Sequence, residues 1–124
     1  MANRRMFSLN VVDTDHFLEM PSSVQLLYFH LGMRADDEGF IASPKSVIRA
    51  VNASAKDLAV LIKQEYIIQF DSGVCVVRHW LMSNLIQKDR FRATTCTEER
   101  KCLSVNPGHP YELLSDGSAA AHSA

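Results

Sequence analysis

Apolar and polar positions along this chain change period several times, and the changes mark its elements. Val24, Leu27, Tyr28 and Leu31 recur at i, i+3, i+4 and i+7, which predicts a helix from Ser22 to Met33 or Arg34 with one buried stripe. Ser22 and Gln25 sit at capping-box spacing at its start. Leu26, Phe29 and Met33 form a second apolar stripe about half a turn away at ~100° per residue. Two coverings suit that stripe: the N-terminal arm with its short helix, or a second subunit, in which case these three residues are the oligomer interface. Ser43-Pro44-Lys45 opens a further helix, with Ser43 as N-cap and Pro44 where its missing N–H costs nothing. Asn52-Ala53-Ser54 ends it and starts another, whose Ser54 and Asp57 form a capping box and which runs to about Glu65. Ala55, Leu58, Leu61 and Ile62 face inward there, while Lys56, Val60, Lys63 and Gln64 face outward.

Beyond Glu65 the pattern turns to strands. Tyr66–Phe70 and Val74–Arg78 flank Asp71-Ser72-Gly73, a short loop with glycine available for positive φ, and Phe40-Ile41-Ala42 supplies a strand to pair with this hairpin. Two short helices followed by a β-ribbon is the order of a winged helix-turn-helix. The fold expected is therefore α+β, mainly α: a winged helix-turn-helix with an added N-terminal arm and short helix. Residues 1–21 form the arm and a helix capped by Asp13 through Glu19, 22–80 the core, and 81–114 a C-terminal extension. In the extension Trp80 anchors a turn or short helix and Thr97 to Leu103 form a last one. Residues 115–124 read as a disordered or cloning-derived tail. Arg34 to Gly39, with Asp36-Asp37-Glu38, reads as a solvated turn, since its spacing is not that of a calcium loop.

The chain's 124 residues, 47% apolar, suffice for one domain with a core. Thirteen basic against fourteen acidic residues give a net charge of -1, which excludes a uniformly basic nucleic-acid binder but not a local basic patch. Between Arg78 and Cys102 six basic residues oppose three acidic ones, and Arg90 and Arg92 bracket Phe91, a combination suited to phosphate contact and base stacking. On the second short helix Lys56 and Lys63 suit phosphates, and Gln64 a base edge. Three cysteines, Cys75, Cys96 and Cys102, read as reduced thiols. With no long apolar run and no signal-peptide pattern, a cytoplasmic location and no membrane contact are expected. Glycines do not form a phosphate-cradling loop. Cys96, Cys102 and His109 lack zinc spacing, and His16, His30 and His79 have no nucleophile partner. A non-enzymatic protein with no cofactor and no metal is expected.

A set of phrases also carries a family resemblance: Arg4-Arg5-Met6-Phe7, the run from Leu31 to Phe40, Pro44-Lys45, Ser72-Gly73-Val74, His79-Trp80, Asn84 with Ile86, Lys88-Asp89-Arg90 and Thr97-Glu98-Glu99. In this order, over residues 1 to about 114, the chain resembles the N-terminal winged-helix domain of phage replisome organisers, replication-initiation proteins related to the DnaD-type primosomal family. Leu81, Ser83 and Leu85 depart from it, standing where relatives are often more polar or basic. The resemblance implies a DNA-binding, self-associating module that helps assemble the primosome at an origin. It implies DNA, double- or single-stranded, further copies of the chain, and a helicase loader or other primosome protein as partners. Under this reading the DNA-contact candidates are Arg4, Arg5, Lys45, Arg49, Lys56, Lys63, Gln64, Arg78, Lys88, Arg90 and Arg92. A protein-interaction scaffold with little DNA affinity and a winged-helix transcriptional repressor are the alternatives that share the fold.

Overall fold

Helix α3 (Ser22–Arg34) is the pillar of the computed structural model, which describes residues 4–84, 91–114 and 121–122. Its stripe of Val24, Leu27, Tyr28 and Leu31 is buried, as the spacing requires, and packs on α4 (Pro44–Ala50) and α5 (Ala55–Lys63). Asn52 turns the chain between these two helices at φ 57°, a left-handed conformation that Asn tolerates. Both arms of the Ser54–Asp57 capping box are made, and Ser23 Oγ donates to Asp57 Oδ1 at 3.0 Å, which pins the start of α5 to α3. By contrast Ser22 and Gln25 form no box. Pro21 occupies the N-cap, and the Gln25 amide donates instead to the carbonyls of Leu18 (3.1 Å) and Met20 (2.8 Å). At α4, Ser43 makes no cap bond to the backbone; its hydroxyl pairs with Ser46 Oγ.

The sheet follows the expected hairpin. Strands β1 (Phe40–Ile41), β2 (Ile67–Phe70) and β3 (Cys75–Val77) pair antiparallel in the order β1-β3-β2, with Phe40 opposite Val76 and Ile68 opposite Val76 on its other edge. Gly73, at φ +92°, donates its N–H to the Phe70 carbonyl and closes the loop. The architecture is thus mixed α+β, mainly helical. Burial pushes the Cys75 thiol, on the central strand, up to about 12, so it packs as a small apolar side chain.

Several boundaries differ from the expectation. The expected N-terminal helix is a single turn, α2 (Asp15–Leu18), capped by Thr14 and not by Asp13, and a further turn, α1 (Leu9–Val12), forms within the arm because Ser8 caps it and Asp13 closes it. After α6 (Trp80–Ser83), the last helix, α7 (Thr97–Arg100), stops short of Leu103. Leu103 instead begins β4 (Leu103–Ser104), paired with β5 (Glu112–Leu113) across the Pro107-Gly108 turn. In the tail, β6 (Ala121–His122) pairs with β2, so these two residues add a strand where disorder is expected.

The largest correction concerns Asp36-Asp37-Glu38. Asp37 and Glu38 are buried, and the turn gathers four distant parts of the chain. Asp37 Oδ1 pairs with Arg5 at 3.2 Å, and its Oδ2 accepts from the Arg92 N–H at 2.9 Å. Glu38 accepts from the Thr94 N–H at 2.8 Å and pairs with Arg100, while the Thr94 hydroxyl donates to Asp36. Their main-chain carbonyls accept from Trp80 Nε1 (3.0 Å) and Tyr111 O–H (2.7 Å). Buried carboxylates need such donors, and here they come from residues 55 or more positions away, except on the Arg5 and Trp80 sides.

Candidate nucleic-acid interface

The structure sorts the predicted DNA contacts into three groups. Lys45 and Arg49 lie one turn apart on α4, and Lys56 and Lys63 two turns apart on α5; all four are exposed. Between the two helices and the hairpin runs a groove of about 420 Å³, lined by Lys45 and Ile48 of α4, Ala55, Ala59 and Ile62 of α5, and Gly73. On α5, Lys56 and Lys63 sit roughly a quarter turn from the centre of this groove line at ~100° per residue. Ala55 and Ala59 keep that face low, so a backbone can approach closely with two ammonium groups beside it.

Gln64 and Arg78 belong elsewhere. Both line a cleft of about 450 Å³ at the opposite end of β2, with Thr14, His16, Glu65, Tyr66 and His79. Arg78 also pairs with the exposed Glu112 at 3.4 Å. His79 Nδ1 is buried without a hydrogen-bond partner among the described residues. Its pKa lies below the ordinary 6.5, because burial disfavours the cation, with the Arg78 charge adding to this and Glu65 opposing it. Tyr66, on the cleft floor, is raised by burial, against a hydrogen bond from Thr14.

The remaining candidates fall at the acidic turn or outside the described residues. Arg5 is corrected: its side chain is 2% exposed, paired to Asp37, donating to the Ala35 carbonyl at 2.7 Å and lying 5.3 Å from the Trp80 ring centre. A guanidinium held this way cannot reach a phosphate. Arg92 gives Asp37 its main-chain N–H and keeps an exposed side chain, next to the exposed Phe91; Arg4 is exposed on the arm. Lys88 and Arg90 lie outside the described residues. The interface trio also divides. Phe29 is half-buried, with ring centres 5.0 Å from Phe7 and 5.8 Å from Phe17, so the arm and α2 cover the middle of the stripe. Leu26 and Met33, each 48% exposed, remain on the surface.

Sequence reasoning missed the part played by Asp36, Asp37 and Glu38, and the histidine cleft. Only the burial-prone neighbours Ala35, Phe40 and Ile41 hinted at the first; the second has no local signal, since His16, Tyr66 and His79 come from three separate stretches of the chain.

The lowered His79 pKa has a testable sign. Below pH 6.5 the unfolded chain takes up a proton that the folded imidazole resists, so stability falls as pH drops through that value. Urea midpoints measured between pH 7.5 and 5.5 are expected to fall, and His79→Gln to flatten that slope; an unchanged slope in the variant would assign the effect to other groups.

Among the described residues no helix is long and apolar enough to cross a membrane. In comparisons with known proteins, no family model, curated protein or solved structure matches this chain.

Proposed function

We propose that this chain is a winged-helix module that binds DNA and self-associates, acting without catalysis in the initiation of phage-type DNA replication. The observation that carries the reading is the run from α4 to β3: two short helices and a hairpin, with Lys45, Arg49, Lys56 and Lys63 exposed on the helices and small side chains between them. Phosphates of a duplex are the partner such a surface suits, with α5 as the inserted helix. The absence of arginine on α5 favours backbone contact over base reading, so weak sequence preference accompanies the binding. The replication assignment rests on the family resemblance of the sequence phrases, and a cytoplasmic site of action goes with it. Exposed Leu26 and Met33 supply the surface for further copies.

Fluorescence anisotropy with a short labelled duplex tests this. If about four cations neutralise phosphates, log affinity falls against log salt with a slope of about −4, roughly a hundred-fold loss between 50 and 200 mM salt. The Lys56→Ala/Lys63→Ala variant is expected to flatten that slope by about 2. A midpoint that ignores salt, or a variant that binds like the parent, removes the role from this face. Light scattering on the same samples counts the copies in each complex.

A further inference from the structure

The histidine cleft is a second, separate feature of this molecule. Its walls come from α1, α2, the link between α5 and β2, the residues after β3 and Pro110, so it adjoins the α4–α5 face only at the C-terminal cap of α5. Its floor is held firmly. The Arg78 N–H donates to the Tyr66 carbonyl at 3.1 Å, and the Arg78 carbonyl accepts from the Tyr111 N–H at 2.7 Å. Glu65 leaves α5 at φ 68°, which turns Tyr66 inward, where it is 5% exposed.

The groups on these walls are complementary to one chemical class. With Nδ1 buried and bare, the neutral imidazole of His79 is best placed with its proton on Nε2, because an orphaned N–H costs more than an orphaned acceptor. With Nε2 as its donor atom, His79 lines the cleft together with Arg78 and Gln64. Arg78 is only 23% exposed, and its carboxylate partner among the described residues, Glu112, is 70% exposed and 3.4 Å away, so an entering anion displaces little. Across the cleft the exposed His16 ring lies against Tyr66, 5.6 Å between centres and 32° from parallel, leaving its outer face for stacking. Glu65, exposed at the lip, presents a hydrogen-bond acceptor and a charge that repels an unaccompanied anion.

We infer that this cleft binds a nucleotide unit, with its phosphate on Arg78, Gln64 and His79 and its base on the outer face of His16. A free mononucleotide and the end of a single strand present the same chemistry. Such binding is independent of duplex recognition by the α4–α5 face.

The test follows imidazole and backbone NMR signals of the whole chain during titration with dAMP, with a (dA)6 oligonucleotide, with deoxyadenosine and with inorganic phosphate. Shifts of the His16 and His79 signals by dAMP or by the oligonucleotide are expected, the tighter of the two identifying the source. Arg78→Gln is expected to weaken binding about tenfold or more, the range of a lost charge-assisted hydrogen bond. His16→Ala, at an exposed site, is expected to remove the advantage of dAMP over phosphate. Lys56→Ala/Lys63→Ala is expected to leave dAMP binding unchanged while weakening duplex binding, which separates failure of one site from failure of the other. Histidine signals unmoved by every nucleotide, or phosphate binding as tightly as dAMP, would overturn the inference.

Discussion

Asp37→Ala is expected to destabilise the protein by about 3–5 kcal/mol, the cost of breaking a buried ion pair by removing one partner. The wild-type Asp37 and Arg5 side chains are 0% and 2% exposed. Without the carboxylate the guanidinium keeps the Ala35 carbonyl and the Trp80 face, but its charge stays buried and uncompensated. Arg5 Nε already lacks a partner among the described residues. The Arg92 N–H loses its acceptor in the same step. Asp37→Asn keeps the shape and a carbonyl for Arg92, and is expected to fall between wild type and Asp37→Ala. Urea denaturation of these variants, with Arg5→Met to complete a double-mutant cycle, measures the coupling. A loss below about 1 kcal/mol would place the pair with exposed ion pairs and would contradict its burial.

Gly39→Ala is the second change expected to be severe, at about 2–5 kcal/mol from backbone strain together with overpacking. Gly39 has φ +91°, and a Cβ there would lie 2.6 Å from Trp80 Cγ and 2.8 Å from Trp80 Cβ. The indole cannot retreat easily: its Nε1 donates to the Asp37 carbonyl and Arg5 lies over its ring. Gly73 is the natural control. Its φ is +92°, but an added Cβ would meet nothing within 4 Å among the described residues, so Gly73→Ala isolates the backbone term. The difference between the two variants in urea midpoint, at constant denaturant slope, reads the steric cost against Trp80. Equal losses would show that the indole yields freely.

Both variants act at the turn that the sequence presents as solvent-exposed. Three consecutive acidic residues before a glycine carry the local signature of a surface loop, and nothing within ten residues on either side supplies a buried cation. The donors that make burial tolerable are Arg5, Trp80, the Arg92 and Thr94 main chain, Arg100 and Tyr111, brought in by the arm and by the C-terminal extension. The same long-range pairing takes Arg5 out of the set of phosphate contacts.

Elements whose information is local were legible. The buried stripe of α3, the Ser54–Asp57 capping box and the hairpin closed by Gly73 follow from periodicity, short-range hydrogen bonding and backbone sterics, all set within a few residues. The cations of α5 were legible for the same reason, since helical spacing alone places Lys56 and Lys63 outward. Tertiary structure decided the rest: which carboxylates are buried, that Phe29 meets Phe7 and Phe17 while Leu26 and Met33 stay exposed, and that His16, Tyr66, Arg78 and His79 converge on one cleft. These features depend on contacts between residues far apart in the chain, and a charge or a ring carries no mark in its own neighbourhood of the partner that will meet it.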